Sequence, residues 1–160
     1  MFVAHHSTPL GTVQITADDE VITSITIATA LLVESTDNHP LLDLAIKQLS
    51  EYFAGERLTF DLPLQQQGTA FQQDVWKQLQ LIQFGETLTY TQLSKKMENP
   101  LAIRAIASAN GKNNLWIVVP CHRVIGANGS LTGYAGGLWR KQWLLDHEAK
   151  VSGKGQIKLF

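Results

Sequence analysis

An α+β protein in two parts is expected from this chain of 160 residues. Apolar and polar residues alternate through the first third, as half-buried strands require. Past residue 68 the pattern turns helical, with two capping signatures close together. The charge changes sign at the same place. Residues 1–68 hold Lys47 and Arg57 against nine acids, a balance of −7, whereas residues 69–160 hold eleven basic residues against five acids, or +6. The boundary is therefore drawn in "PLQQQG", between an N-terminal α/β domain of residues 1–67 and a C-terminal helical domain of residues 68–160.

Leu10, Val13 and Ile15, then "ADDE", then Val21, Ile25 and Ile27 read as antiparallel strands joined by a polar turn. A helix over roughly 40–54 gathers Leu42, Ala45, Leu49 and Phe53 on one face and stops at Gly55. Leu58, Phe60 and Leu62 alternate as a short strand would. In the second domain Thr69 with Gln72 opens a helix through Phe71, Val75, Leu79 and Ile82, ended by Gly85. Thr89 with Gln92 opens "YTQLSKKM". Asn99 as cap and Pro100 at the first helical position open "PLAIRAIASAN", which Gly111 stops. Two short helices around a tight turn match a helix-turn-helix, a pattern shared by DNA readers and plain helical hairpins. "LWIVVP" is expected as a strand, "GANGSLTGYAGG" as a loop, and a last helix runs from about 138 to 149.

No stretch of about 18 apolar residues exists, so no membrane span is expected. "MFVAHHSTPLG" lacks a basic start and a long apolar segment, so no secretory signal is expected either. A single cysteine cannot form an internal disulfide, which fits a reducing cytoplasm, and it excludes a multi-cysteine zinc site. His5, His6 and His39 carry no metal-ligand pattern, and Trp116, Trp139 and Trp143 are assigned to the core. From Lys95 to Lys141 seven Lys and Arg residues face only Glu98. Such a stretch either faces a polyanion or attracts the acidic half of the chain.

The one cysteine, Cys121, stands in "IVVPCHRVIG". A thiol attacks as thiolate, and its ordinary pKa of about 8.5 falls to roughly 3.5–7.5 beside cations. On a turn after a strand, His122 or Arg123 could face the sulfur. Equally, Cys121 could be a small buried hydrophobe at a strand end.

"IVVPCHRVIG" followed by "GSLTGYAGGLWRKQWLLDHE" closely resembles the 6-O-alkylguanine-DNA alkyltransferase family, also called methylated-DNA–protein-cysteine methyltransferases. The resemblance covers about residues 68–150; the first third resembles the family's ribonuclease-H-like domain loosely. It implies an antiparallel sheet plus helix, then a winged-helix-like DNA-binding domain carrying the active cysteine. It implies repair by direct reversal, in which the alkyl group of 6-O-alkylguanine, and of 4-O-alkylthymine, passes irreversibly to Cys121, once per molecule.

The roles it implies are these. His122 activates Cys121 through a bridging water, Glu148 orients the imidazole, and Asn113 braces the cysteine loop. Tyr90 gives a proton to ring nitrogen 3 of the departing base. The carbonyls of Cys121 and Val124 accept from the exocyclic amine, and Tyr134, Ala135 and Gly136 lie in the loop over the base. Where several relatives carry a serine, this chain has Ala135. Arg104 fills the place of the flipped base, with Ala105, Ser108, Asn110, Gly111 and Lys112 on the minor-groove side of the same helix. Lys95, Lys96, Lys112, Arg123 and Lys141 contact phosphates. The partner is double-stranded DNA containing alkylated guanine; the protein is a cytoplasmic monomer with no cofactor, and the metal site of some relatives cannot be built.

Asn113-Asn114 stands where many relatives have Asn-Pro, and Trp116 is bulky, so a less rigid loop is expected there. Two other readings compete: a lesion-binding protein without transfer, against which Cys121 argues, and a cysteine hydrolase, which would need an oxyanion hole.

Overall fold

The structure, a computed structural model, describes residues 1–28, 36–127, 134 and 136–153. They divide into two compact units: the described residues up to Gln67 together with Asn114–Trp116, and Gly68–Asn113 together with the described residues from Ile117 on.

In the first unit β1 (Phe2–Thr8), β2 (Gly11–Ala17) and β3 (Ile22–Ile27) form an antiparallel sheet in that order. The period of two sends Ala4, Ile15 and Ile25, neighbours in register across the three strands, into the core. Asp18 makes "ADDE" a turn: its carboxylate accepts from the backbone N–H groups of Glu20 and Val21, each at 2.8 Å. Helix α1 (Pro40–Phe53) buries Leu42, Ala45, Leu49 and Tyr52, one residue short of the Phe53 expected on that face. His39 caps it, Nδ1 accepting from the N–H of Leu41 at 3.1 Å.

Two expected strands do not form. Over Leu58–Leu62 the backbone pairs with a side chain instead: Gln48 on α1 donates to the carbonyl of Asp61 at 3.0 Å and accepts from its N–H at 2.9 Å. Leu64, just beyond, makes one bridge to the sheet, at Ile22. "LWIVVP" makes one bridge, Leu115 to Ile25, and stops. Ile117 sits at φ +73°, a left-handed conformation that a β-branched side chain resists and that no strand contains.

The second unit comprises α2 (Ala70–Gln80), β4 (Leu88–Thr89), α3 (Tyr90–Lys96), α4 (Ile103–Gly111), β5 (Val124–Ile125) and α5 (Leu138–Ser152). Strands β4 and β5 form a two-residue parallel pair. Both capping boxes are formed, at Thr69–Gln72 and at Thr89–Gln92. Helix α2 ends at Leu81 rather than at Gly85, whose φ of +81° serves a later turn.

Helix α4 starts later than expected, after Ala102, and the chain at Glu98 and Asn99 closes α3 instead. Glu98 takes φ +55°, its N–H donates to the carbonyl of Lys95 at 3.0 Å, and that of Asn99 to Ser94 at 2.9 Å. This is a Schellman closure of α3. Ala102 caps α4 without a side-chain bond. Val75, Leu79, Leu93, Ile106, Leu144 and Leu145 are buried apolar residues of this unit.

Candidate active site

Cys121 opens one turn of 3-10 helix, Cys121–Arg123, directly after Pro120. Pro120 lies at φ −82°, ψ 66°, and the N–H of Cys121 returns to the carbonyl of Val119 at 2.8 Å. That inverse γ-turn reverses the chain, and the proline ring pre-sets its φ. Asn113 braces the turn from outside, donating to the Val119 carbonyl at 2.8 Å and hydrogen-bonding the Cys121 thiol.

The 3-10 turn sends His122 and Arg123 inward onto α5. His122 Nε2 lies 2.7 Å from Glu148 Oε2. Arg123 grips the same carboxylate with two nitrogens, Nε to Oε1 at 2.8 Å and Nη2 to Oε2 at 3.0 Å. The N–H of Gly85 donates to Oε1 at 3.2 Å, and Arg123 Nη1 to the carbonyl of Ile82 at 2.6 Å. Burial alone would push the Glu148 carboxyl up, but His122 and Arg123 hold it well below the usual carboxylate range. Arg123 supplies the full counter-charge, so the imidazole is free to stay neutral.

Burial does hold His122 below its ordinary value, with Glu148 pulling the other way. Since a carboxylate only accepts, Nε2 carries the proton and Nδ1 keeps its lone pair. No hydrogen-bond partner meets Nδ1 among the described residues. The group is a buried, oriented base.

The thiol is not activated in advance. Cys121 is 4% exposed, and burial pushes its pKa up to about 11, against smaller opposing pulls from Asn113 and Lys141. Of the two readings left open by the sequence, the thiol at rest is the buried one, and Arg123 spends its charge on Glu148.

The Arg123 phosphate contact is corrected, since its guanidinium is buried in that ion pair. Lys141 is also no phosphate contact. It is fully buried, its Nζ donating to the Val124 carbonyl at 2.6 Å, and burial lowers its pKa to about 8. Asn110 does not face a groove: it is 3% exposed and donates to Tyr90 Oη at 3.2 Å and to the Cys121 carbonyl at 3.4 Å.

Arg104, Ala105, Ser108, Gly111 and Lys112 are exposed on α4 and its end, as are Lys95 and Lys96 on α3. Tyr134 and Gly136 are buried, the Gly136 carbonyl accepting from Arg140 at 2.7 Å. Ala135 lies outside the described residues. Trp139 is no core residue: it is 54% exposed with the Arg140 guanidinium 4.5 Å over its ring. The inward role of Lys141 was legible in one respect. Lys141, Leu144, Leu145 and Glu148 stand at i, i+3, i+4 and i+7, one buried face of α5.

Residues 1–66 match the ribonuclease-like domain, and residues 70–150 the DNA-binding domain, of the 6-O-methylguanine DNA methyltransferases. The chain belongs to this family. A methylated-DNA–protein-cysteine methyltransferase of Mycolicibacterium paratuberculosis is 44% identical over 90% of each chain. The constitutive one of Bacillus subtilis is 46% identical over 81% of this chain and 83% of its own. Among solved structures, Mycobacterium tuberculosis OGT in complex with DNA is similar at 40% identity and a TM-score of 0.85, covering 93% of each chain. The two-domain layout of the family is the α+β architecture described above, sheet and helix first and helices after.

Proposed function

We propose that Cys121 is the acceptor thiol of a direct-reversal DNA repair protein, taking the alkyl group from 6-O-alkylguanine flipped out of duplex DNA. The protein is a methylated-DNA–protein-cysteine methyltransferase and binds DNA. The observation that carries the assignment of the acceptor is the buried pairing of His122 Nε2 with Glu148 Oε2 at 2.7 Å, next in sequence to the only cysteine. It supports a relay in which the Nδ1 lone pair takes the thiol proton through a bridging water as substrate arrives.

The S–C bond forms as the C–O6 bond breaks. The thiol proton passes to His122, the phenolic proton of Tyr90 to ring nitrogen 3, and the electron pair stays with the base. Imidazolium and phenolate then recover neutrality by exchange with solvent. A thioether has no ready leaving group, so each molecule acts once. A thiol near 11 at rest accords with this chemistry: sulfur becomes nucleophilic only where a lesion sits beside the base.

The Cys121 carbonyl and the remaining lone pair on the Val124 carbonyl receive the exocyclic amine, under Tyr134 and Gly136. Arg104 occupies the vacated stack, and Ala105, Ser108, Gly111 and Lys112 meet the minor groove. Extrusion of a base costs a few kcal/mol; small exposed residues on α4 support the close approach that it needs. A cytoplasmic monomer completes the reading; the cytoplasmic part accords with a lone cysteine that has no second thiol in the chain to pair with.

Incubation with duplex DNA containing 6-O-methylguanine tests it. The Cys121 peptide should gain the mass of one CH2 permanently, with one lesion repaired per molecule. Repeated turnover by unmodified protein would instead indicate hydrolysis.

A further inference from the structure

Asn110 stands near the end of α4, Tyr90 at the start of α3, and the two side chains meet inside the second unit. Asn110 Nδ2 reaches both Tyr90 Oη, at 3.2 Å, and the Cys121 carbonyl oxygen, at 3.4 Å. A carbonyl only accepts, so the second bond fixes which end of the amide points at the pair: it is the nitrogen. The phenol oxygen is therefore an acceptor towards Asn110, and its own proton is directed away from the amide. With the amide reversed, the phenol would spend that proton on Asn110, and the departing base would have to leave as an anion.

A second observation argues against a merely structural bridge. The other end of the amide, Oδ1, is buried and meets no hydrogen-bond donor among the described residues. An unsatisfied buried acceptor destabilises the fold, and an apolar side chain of similar size would avoid it. The amide is held for its nitrogen.

We propose that Asn110 is a positioning residue for the Tyr90 phenol, keeping the Tyr90 oxygen as acceptor so that its proton is presented to the leaving base. The same nitrogen also reaches the Cys121 carbonyl. This rests on the alkyl-transfer reading of the site, with Tyr90 as the proton donor.

The test is a double-mutant cycle of Asn110→Ala with Tyr90→Phe, read as the single-turnover rate of mass gain at Cys121 on duplex DNA containing 6-O-methylguanine. Alkylation by iodoacetamide runs in parallel, since iodide leaves without a proton. Asn110→Ala should slow transfer from the lesion roughly tenfold or more in the unaltered background and less than about twofold beside Tyr90→Phe. Its iodoacetamide rate should stay within about twofold of the parent, because the thiol itself is untouched. Should the alanine variant fold poorly, Asn110→Asp keeps the shape, loses the donor, and should slow transfer in the same pattern. Equal slowing in both backgrounds, or equal slowing with iodoacetamide, would overturn the proposal and leave the amide structural. No mass gain on the unaltered protein would overturn the transfer reading and this proposal with it; gain on the parent alongside uncoupled variants would overturn this proposal alone.

Discussion

Nε2 of His122 and Oε2 of Glu148 are 2.7 Å apart with both side chains buried, and Arg123 closes the same carboxylate through Nε at 2.8 Å. One carboxylate thus neutralises a cation and fixes a tautomer at once. Glu148→Gln separates the two. It leaves the Arg123 guanidinium buried without a counter-charge, which costs about 3–5 kcal/mol. It also replaces one acceptor oxygen with an NH2 donor, which favours the tautomer protonated on Nδ1, so transfer should slow by at least about a hundredfold. Adding Arg123→Met should restore much of the urea midpoint and none of the rate. Recovery of both would mean that Glu148 only balances charge.

Glu148 also sets a direction for acid stability. Its folded pKa lies below the ordinary glutamate value of about 4.3. The unfolded chain therefore binds the proton first as pH falls. Stability from this group is complete above that value and is lost on going below it. Equilibrium unfolding between pH 6 and 3 should show the loss, and the Glu148→Gln/Arg123→Met protein should show a flatter profile.

The thiol gives its pH signature at the alkaline end. With Cys121 near 11, the thiolate fraction at neutral pH is small and rises about tenfold per pH unit. Iodoacetamide alkylation of Cys121 should follow that slope from pH 7 to 9, with no plateau near neutrality. Lys141 pulls the thiol downward, so Lys141→Met should slow alkylation at fixed pH while leaving the slope intact. A plateau below pH 8 would mean a resting thiolate.

Much of this arrangement was legible before folding. The capping boxes at Thr69 and Thr89 are local, four-residue signals, and they formed. The His122–Glu148 pair depended on a motif, because 26 residues of chain separate the partners. What stayed hidden is what tertiary partners decide. Asn99 looked like a cap for α4, but its backbone closes α3 and α4 opens at Ala102. The Leu58–Leu62 alternation lost its backbone to Gln48. Arg123, Lys141 and Asn110 read as DNA-facing from the family resemblance and the basic stretch they stand in. Only the structure turns them toward Glu148, Val124 and Tyr90.

Gly68, ahead of α2, is required by space. A Cβ there would lie 2.6 Å from Cζ3 of Trp76, whose Nε1 is tied to the Ala109 carbonyl at 2.9 Å. The indole cannot retreat without breaking that bond. Gly68→Ala should cost about 1–3 kcal/mol by overpacking, visible as a lower Tm. An unchanged Tm would show that the ring moves freely.

Gly111 is the contrary case, and it tests the DNA surface. It is exposed at the end of α4, and a Cβ built on it meets nothing within 4 Å. Folding does not ask for glycine here; alanine is the better helix former, by up to about 1 kcal/mol in a helix interior. Gly111→Ala should therefore leave Tm unchanged or raise it slightly. If α4 enters a minor groove, the added methyl stands between backbone and sugar edges. Affinity for duplex DNA should fall while transfer from free 6-O-benzylguanine keeps its rate. Lys112→Ala, one residue on, should lower affinity for all sequences alike and reduce the salt slope by about one. If neither variant changes duplex binding, or if Gly111→Ala slows the free-base reaction as much as the duplex reaction, α4 is not the DNA-facing helix.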